Sequence, residues 1–381
     1  KVMFVAESPL FTETKLPQDS PRPLKQNQPR IFILESGPCS LDLFAPEEKA
    51  PARQAAQTAG PGWSRVLAAL RDLESGAWDL AVVNYRETCF FQPGAGWARG
   101  LRRAFFSAWK NPEEIGRLLL FAKLVRKKVP IALINRSDQG RLPLGSDWFY
   151  RRCHLCFVRE LDPLPEFALA ELFSPSGGNL LGNRRARQIL RWADPTCPTG
   201  RETGKLRPIS LGLPDPDRLP PLPKEKKFDI FFAGDLHEKG LRGRLVEECR
   251  HHASTHGWRL CLKERMDREE YWKTLAESRL CLSPPGMGWD CWRHYEAMAL
   301  GAVPLMPYPT ILQYHPPMDG QHCFYFPPEP GGLASVMDRA MDRSADFTRM
   351  AESGRRLVLE HHTFPKLREY IIRETLAAAA R

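Results

Sequence analysis

The residues best placed to do chemistry lie in one stretch, 283–306, which opens Ser283-Pro284-Pro285-Gly286-Met287-Gly288. A short apolar run before it, Arg279–Leu282, reads as a buried strand, and Gly286 and Gly288 then break the chain. Asp290 is the expected N-cap of a helix over about Cys291–Leu300. Gly301 falls where a helix end wants a residue that tolerates positive φ, and Ala302–Met306 reads as the next strand. The unit is a βαβ with its Gly-rich turn at the carboxyl end of a strand, where open parallel sheets bind ligands. Free N–H groups of such a turn and of the helix start suit a phosphate. Glu296, charged within an otherwise apolar helical pattern, is suited to accept hydrogen bonds from a ribose.

Positioning these groups takes a sheet, and the rest of the chain supplies the pattern for two. Val2–Ala6, Ile31–Leu34, Leu80–Val83, Pro130–Asn135 and His154–Val158 read as strands, the last being the final clear one of the first half. Helical spacing covers Ser64–Leu73, Arg99–Trp109 and Glu113–Lys127. Strands alternating with helices at this interval predict a parallel, helix-covered sheet. Residues 174–207 break the rhythm with Gly177-Gly178 and the run Asn183-Arg184-Arg185-Ala186-Arg187. They read either as a basic excursion bordering a cleft or as a plain solvated insert. Residues 214–224 are Pro-dense and form the natural boundary. Beyond them the alternation resumes with Phe228–Phe232, a helix over Leu241–His256, Trp258–Lys263 and a helix over Arg268–Ser278. The stretch 283–306 follows, then Cys323–Phe326, helices over Gly332–Met341 and Phe347–Glu360, and a last helix over Phe364–Ala380.

The predicted organisation is an α/β chain of two Rossmann-like parallel-sheet domains. Residues 1–213 form the first, with the basic insert 174–207; 214–224 the linker; 225–360 the second domain; and 361–381 a closing helix. Length and composition agree, with 381 residues and 43% hydrophobic content. No apolar run approaches the roughly 20 residues of a membrane helix, and the opening residues lack the features of a signal peptide. The formal charge of +10 favours anionic partners. The ten cysteines show no disulfide-scaffold spacing, which points to reduced thiols and a cytoplasmic protein, with the inner membrane face also open to it. Asp215-Pro216-Asp217 has the look of a metal-binding DxD, but it sits in the Pro-rich linker with no strand before it, so no metal site is expected. Cys153 and Cys156 share CxxC spacing without a second pair, and a core strand explains them.

Glu296-Ala-Met-Ala-Leu-Gly-Ala-Val-Pro304 resembles the "E-A-x-A-x-G-x-x-P" segment of GT-B glycosyltransferases, in which the Glu holds the donor's ribose. The preceding Tyr271–Gly286 is similar to the exostosin-like branch of those enzymes, and so is Phe231-Phe-Ala-Gly234 followed by Arg242 and Arg244. The resemblance covers roughly 228–330. It implies a GT-B fold with two domains facing across a cleft, its last helix crossing back to the first. It further implies a metal-independent glycosyltransferase moving a sugar from a nucleoside-diphosphate sugar to a hydroxyl acceptor. No cofactor beyond that donor is implied, and the charge admits an anionic glycan or another polymer as acceptor.

On that reading Gly234, Ser283, Gly286, Met287 and Gly288 line the donor site. Arg242, Arg244, Lys263 and Arg265 are the candidates to neutralise the diphosphate, since a guanidinium can clamp two phosphate oxygens at once. Arg293, three residues before Glu296 on the same helix face, fits three roles: orienting that carboxylate, touching phosphate, or a plain ion pair. The general base belongs to the first domain, where Asp138, Glu7, Glu35 and Glu160 follow strand ends. Asp138 is preferred for its short polar loop. Arg184, Arg185 and Arg187 are the acceptor-side candidates. A different class of function is a basic nucleic-acid or polyanion-binding protein that uses 174–207 without catalysis.

Overall fold

The computed structural model describes residues 29–34, 43, 63–84, 112–136, 140, 147–165 and 203–381. The expected strand Val2–Ala6 and helix Arg99–Trp109 lie outside them, as does most of 174–207.

Five parallel strands form the first sheet: β1 (Ile31–Leu34), β2 (Leu80–Asn84), β3 (Ile131–Asn135), β4 (Leu155–Val158) and β5 (Leu206–Pro208), side by side in sequence order. The period of two along each strand divides its side chains between two cores. Phe32, Leu34, Ala81, Val83, Ile131, Leu133, Cys156 and Val158 face one way. There they pack on α1 (Trp63–Ser75), α2 (Pro112–Arg126) and α3 (Asp147–Arg152) through Leu73, Phe121, Leu124 and Tyr150. Leu80, Val82, Ala132, Ile134, Leu155 and Phe157 face the other way, and the element that covers them comes from the far end of the chain. It is α9 (Phe364–Ala379), which lays Phe364, Leu367, Tyr370 and Ile371 on this face.

β5 corrects the sequence reading, which ended the clear strands of this half at Val158 and placed 206–207 in the basic excursion. β5 is three residues long with Leu206 as its one buried side chain, so its place is set by backbone pairing to β4 rather than by an apolar run.

The second sheet is also five-stranded and parallel: β6 (Phe228–Ala233), β7 (Leu260–Lys263), β8 (Ser278–Leu282), β9 (Val303–Pro307) and β10 (Phe324–Phe326). Its order is β10-β9-β8-β6-β7. The chain therefore runs from β6 outward to β7, then returns past β6 to lay down β8, which puts a topological switch between β6 and β8. α4 (Leu241–Thr255), α7 (Gly332–Asp342) and α8 (Phe347–Leu357) cover one face; α5 (Arg268–Ala276) and α6 (Trp292–Ala299) cover the other. Asp267 starts α5 by accepting from the Glu270 amide at 2.8 Å. Thr363 and a first-turn proline start α9. Gly301 ends α6 with φ of 70°, as its position predicts.

The two units meet where the chain passes between them. Leu213 and Thr363 pair as a parallel bridge, with Leu213 N donating to His362 O (2.7 Å) and Phe364 N to Leu213 O (2.9 Å). Gly212 permits this approach: its φ is 70°, and a Cβ there would lie 2.5 Å from His362 O. Buried His362 turns Nε2 to the carbonyl of His315, so that nitrogen donates, and Nδ1 receives the Ser210 hydroxyl at 2.9 Å. The carboxyl ends of β3 and β4 then face the β8–α6 turn. This is the GT-B arrangement implied by the resemblance. Among the described residues, no helix is long and apolar enough to cross a membrane.

Candidate functional site

The carboxyl edge of the second sheet gathers the candidate donor residues. β6 runs into Gly234, β7 ends at Lys263, and β8 leads into the Ser283–Gly288 turn and α6. Arg293, on the first turns of α6, reaches back across the switch between β6 and β8. Its Nη2 donates to Ala233 O at 2.9 Å, and its guanidinium lies over the Phe232 ring at 4.8 Å. A Cβ on Gly234 would lie 3.4 Å from the same Nη2. Burial lowers the Arg293 pKa, but the Cys291, Tyr271, Cys281 and Glu296 side chains outweigh it, and the net shift is upward. Arg242 donates to Pro285 O (3.3 Å) on the turn, and Arg244 to Pro328 O. All three keep a buried N–H without a partner among the described residues: Nε of Arg242 and Arg293, and Nη1 of Arg244. Buried donors of this kind ask for an acceptor. Lys263 and Arg265 are exposed at the end of β7, and Met287 is 90% exposed at the tip of the turn.

Glu296 is part-buried on α6. Its carboxylate accepts from Tyr271 OH (3.0 Å) and Trp272 Nε1 (3.3 Å), both on α5. The Arg293 group donates to the backbone instead, so α5 rather than Arg293 fixes the orientation of this carboxylate.

The Gly-rich turn departs from the expectation of free amides. Gly286 N bonds Gly288 O (3.0 Å), closing the turn on itself. The amides of Trp289 and Asp290 both donate, at 2.9 Å, to the two oxygens of Glu160, which follows β4 in the first sheet. The start of α6 thus already holds an anion, a carboxylate carried across from the other domain. Gly288 makes room for it, since a Cβ there would lie 2.4 Å from Glu160 Oε1. Arg159 sits 3.4 Å from the same oxygen. Burial raises the Glu160 pKa, partly offset by the two amides and Arg159. With both oxygens engaged by amides, Glu160 acts as a tie between the domains.

Asp290 is not the helix N-cap. Cys291 takes that position without a side-chain bond, and the buried Asp290 turns inward to Leu211 N (2.7 Å) and Tyr295 OH (2.6 Å). Burial raises its pKa, the Tyr295 hydroxyl opposing. Arg136, just past β3, lies between Trp292 and Phe364 and donates to Leu211 O (2.6 Å). Burial pushes its pKa down to about 9, with the Asp290 charge pulling the other way. Ser283, completely buried, bonds His294 Nδ1 at 2.7 Å, and His294 Nε2 donates to Trp289 O (2.9 Å). Cys291 lies 3.5 Å from the same Nδ1. Burial raises that thiol, but the His294 ring outweighs it and brings it to about 7. Sequence reasoning missed this polar network. Its one trace is the density of polar residues between Asp290 and Tyr295 inside a segment flanked by core strands.

Of the base candidates, Asp138, Glu7 and Glu35 lie outside the described residues, as do Arg184, Arg185 and Arg187. Asp215 of the DxD look-alike pairs with Arg218 at 2.9 Å beside a turn of 3-10 helix. Cys153 and Cys156 are buried thiols whose pKa values burial pushes up, the first to about 12.

Several solved structures are similar to the chain at low identity. The GtfA/B complex matches with 11% identity and a TM-score of 0.45, over 84% of this chain and 61% of that one. A glycosyltransferase from Rickettsia africae ESF-5 gives 12% and 0.41, over 78% and 77%. An alpha-glucosyltransferase in complex with UDP gives 11% and 0.42, over 83% and 84%. The chain thus spans 61% of the length of the first of these. No curated protein matches the sequence. Residues 224–310, which carry the switch between β6 and β8, the Gly-rich turn and Glu296, match the RXYLT1 C-terminal domain and are therefore similar to a domain of the exostosin-like family.

Proposed function

We propose that the protein is a glycosyltransferase that binds a nucleoside-diphosphate sugar at the carboxyl ends of β6 and β8 and passes the sugar to a hydroxyl acceptor held by the first domain. One observation carries this reading. At the switch point of a parallel sheet, where ligands bind, Arg242 and Arg293 flank the turn and each keeps a buried N–H with no partner among the described residues. Diphosphate oxygens supply the missing acceptors, and charge-assisted bonds to them are roughly twice as strong as neutral ones.

Transfer breaks the bond between the sugar and the diphosphate and forms one to the acceptor oxygen. Negative charge grows on the leaving diphosphate, and fixed donors stabilise it without reorganising. Arg242, Arg293 and, at the rim, Lys263 and Arg265 take that part, and the proposal is metal-independent for that reason. Glu296 accepts from the ribose. The acceptor proton goes to a carboxylate of the first domain, proposed as Asp138 with Glu7 and Glu35 next. Arg184, Arg185 and Arg187 are proposed to hold an anionic acceptor. The described cysteines are free thiols, which supports a cytoplasmic setting.

The test is a thermal-shift panel of UDP-, GDP-, ADP- and CMP-sugars, followed by nucleoside-diphosphate release in the presence of hydroxyl acceptors. A saturable rise in melting temperature for one base class supports the reading. Polyanion binding with steep salt dependence and no response to any nucleotide sugar contradicts it.

A further inference from the structure

The end of α4 carries a group of side chains that sugar transfer does not use. His252 and His256 are four residues apart, so they lie one above the other on a single helix face. Asp338 of α7 stands against them. His252 Nε2 is 2.7 Å from Asp338 Oδ1, and His256 Nε2 is 3.8 Å from the same oxygen. One donor atom from each of the three lies within 4.8 Å of the others.

The orientation of the His256 ring is set by the groups around it. His256 Nδ1 is 2.9 Å from the His252 carbonyl, which can only accept. Nδ1 therefore holds the proton, and Nε2 presents its lone pair towards Asp338. A backbone carbonyl behind the ligating ring is how metal-binding histidines are commonly fixed in tautomer and direction. Trp258 stacks on the His256 ring, with centroids 4.8 Å apart and planes at 27°, which limits its rotation.

We propose that His252, His256 and Asp338 form a binding site for a divalent transition-metal cation of the Zn2+ class, ligated through the two Nε2 atoms and one carboxylate oxygen, with water completing the shell. Two imidazoles and a carboxylate suit such borderline cations, whereas Mg2+ and Ca2+ prefer all-oxygen shells. With ligand bonds of about 2.0–2.1 Å in a tetrahedron, neighbouring ligand atoms stand about 3.3 Å apart. The separations of 2.7 and 3.8 Å lie on either side of that value. A small turn of the half-exposed Asp338 side chain brings both into range, and the proton on His252 Nε2 is displaced as the ion enters. The bound ion ties α4 to α7. The site lies at the end of α4 remote from Leu241, about 20 Å along a helix of this length, and so stands apart from the donor site.

The test is calorimetric titration of the full chain, stripped with a chelator, with ZnCl2 and separately with MgCl2. One equivalent of Zn2+ is expected to bind at this site, with no heat from Mg2+. His256→Ala and Asp338→Asn should each weaken the Zn2+ affinity at least ~10-fold, by loss of a ligand whose supporting contacts alone are worth that much. His315→Ala, which alters the other close histidine pair (His315 and His361, ring centroids 3.7 Å apart), should leave it unchanged. Saturating Zn2+ should raise the melting temperature of the wild type but not that of the doubly substituted protein. All the substituted side chains are at least partly exposed, and circular dichroism confirms that each variant is folded. Absence of Zn2+ binding to the wild type would overturn the proposal. So would equal affinity in His256→Ala and Asp338→Asn, or loss of binding in His315→Ala alone.

Discussion

Replacing Glu160 by Gln probes the tie between the domains with no change in side-chain size. Glu160 offers two oxygens to the Trp289 and Asp290 amides at 2.9 Å each, and its side chain is only 7% exposed. Glutamine keeps one acceptor and turns an NH2 group towards the other amide, so one charge-assisted bond, worth about 1.5–3 kcal/mol, is lost. The buried Arg159 group also loses its neighbour at 3.4 Å. Relief of the buried carboxylate, whose pKa burial raises, offsets part of this. A net loss of about 2–3 kcal/mol is expected, which for a cooperative unit of domain size lowers the melting temperature by roughly 4–12 °C. Scanning calorimetry reads the change directly. Gly288→Ala should act through the same contact, so the double variant should cost less than the sum of the two. A melting temperature for Glu160→Gln within about 1 °C of wild type, or strict additivity with Gly288→Ala, would refute the tie.

Two further outcomes are expected at the crossing between domains. Gly212→Ala should destabilise by at least ~1–3 kcal/mol, read by urea unfolding, because it combines φ of 70° with a Cβ 2.5 Å from His362 O; Gly257→Ala, with open space around it, should cost less. Burial holds the His362 pKa down at about 3, with His315 O opposing. The unfolded chain takes up that proton near pH ~6.5 and the folded one does not. The resulting stability is whole above that pH and is lost as pH falls towards 3, on the order of 5 kcal/mol over the window. His362→Gln should flatten this slope in urea titrations between pH 7 and 4; an unchanged slope would contradict the assignment.

Much of the second domain was legible because β6, β8 and β9 are apolar runs buried on both faces and its glycines mark the turns. Phe228–Phe232, Trp258–Lys263 and Arg279–Leu282 each fall within a residue or two of the strands observed. The βαβ unit around Gly286 was readable for the same reason. Contacts between residues distant in sequence were not. Asp290 has the composition of an N-cap, yet Leu211 N, 79 positions away, claims its carboxylate. The turn amides looked free because Glu160, 129 positions from Trp289, leaves no periodic signal. Arg293 and Glu296 are spaced to pair on one helix face, but the strand end at Ala233 and the α5 donors outcompete that pairing. β5 escaped because backbone pairing positions it with a single buried side chain.

In the proposed function, Glu296 holds the donor's ribose beside the arginines at the switch between β6 and β8. Calorimetric titration of the nucleoside-diphosphate sugar selected by the panel, into wild type and Glu296→Ala, tests it most directly. The substitution also strips Tyr271 OH and Trp272 Nε1 of their acceptor, so stability falls by about 1–3 kcal/mol in any case. The dissociation constant must therefore be measured on protein shown to be folded. Losing the acceptor for the ribose hydroxyls should cost a further ~1–3 kcal/mol, weakening binding roughly 5–150-fold, with Glu296→Gln in between. A folded Glu296→Ala protein that binds the nucleotide sugar as tightly as wild type would show that Glu296 only joins α6 to α5, and the proposed donor site would fall with it.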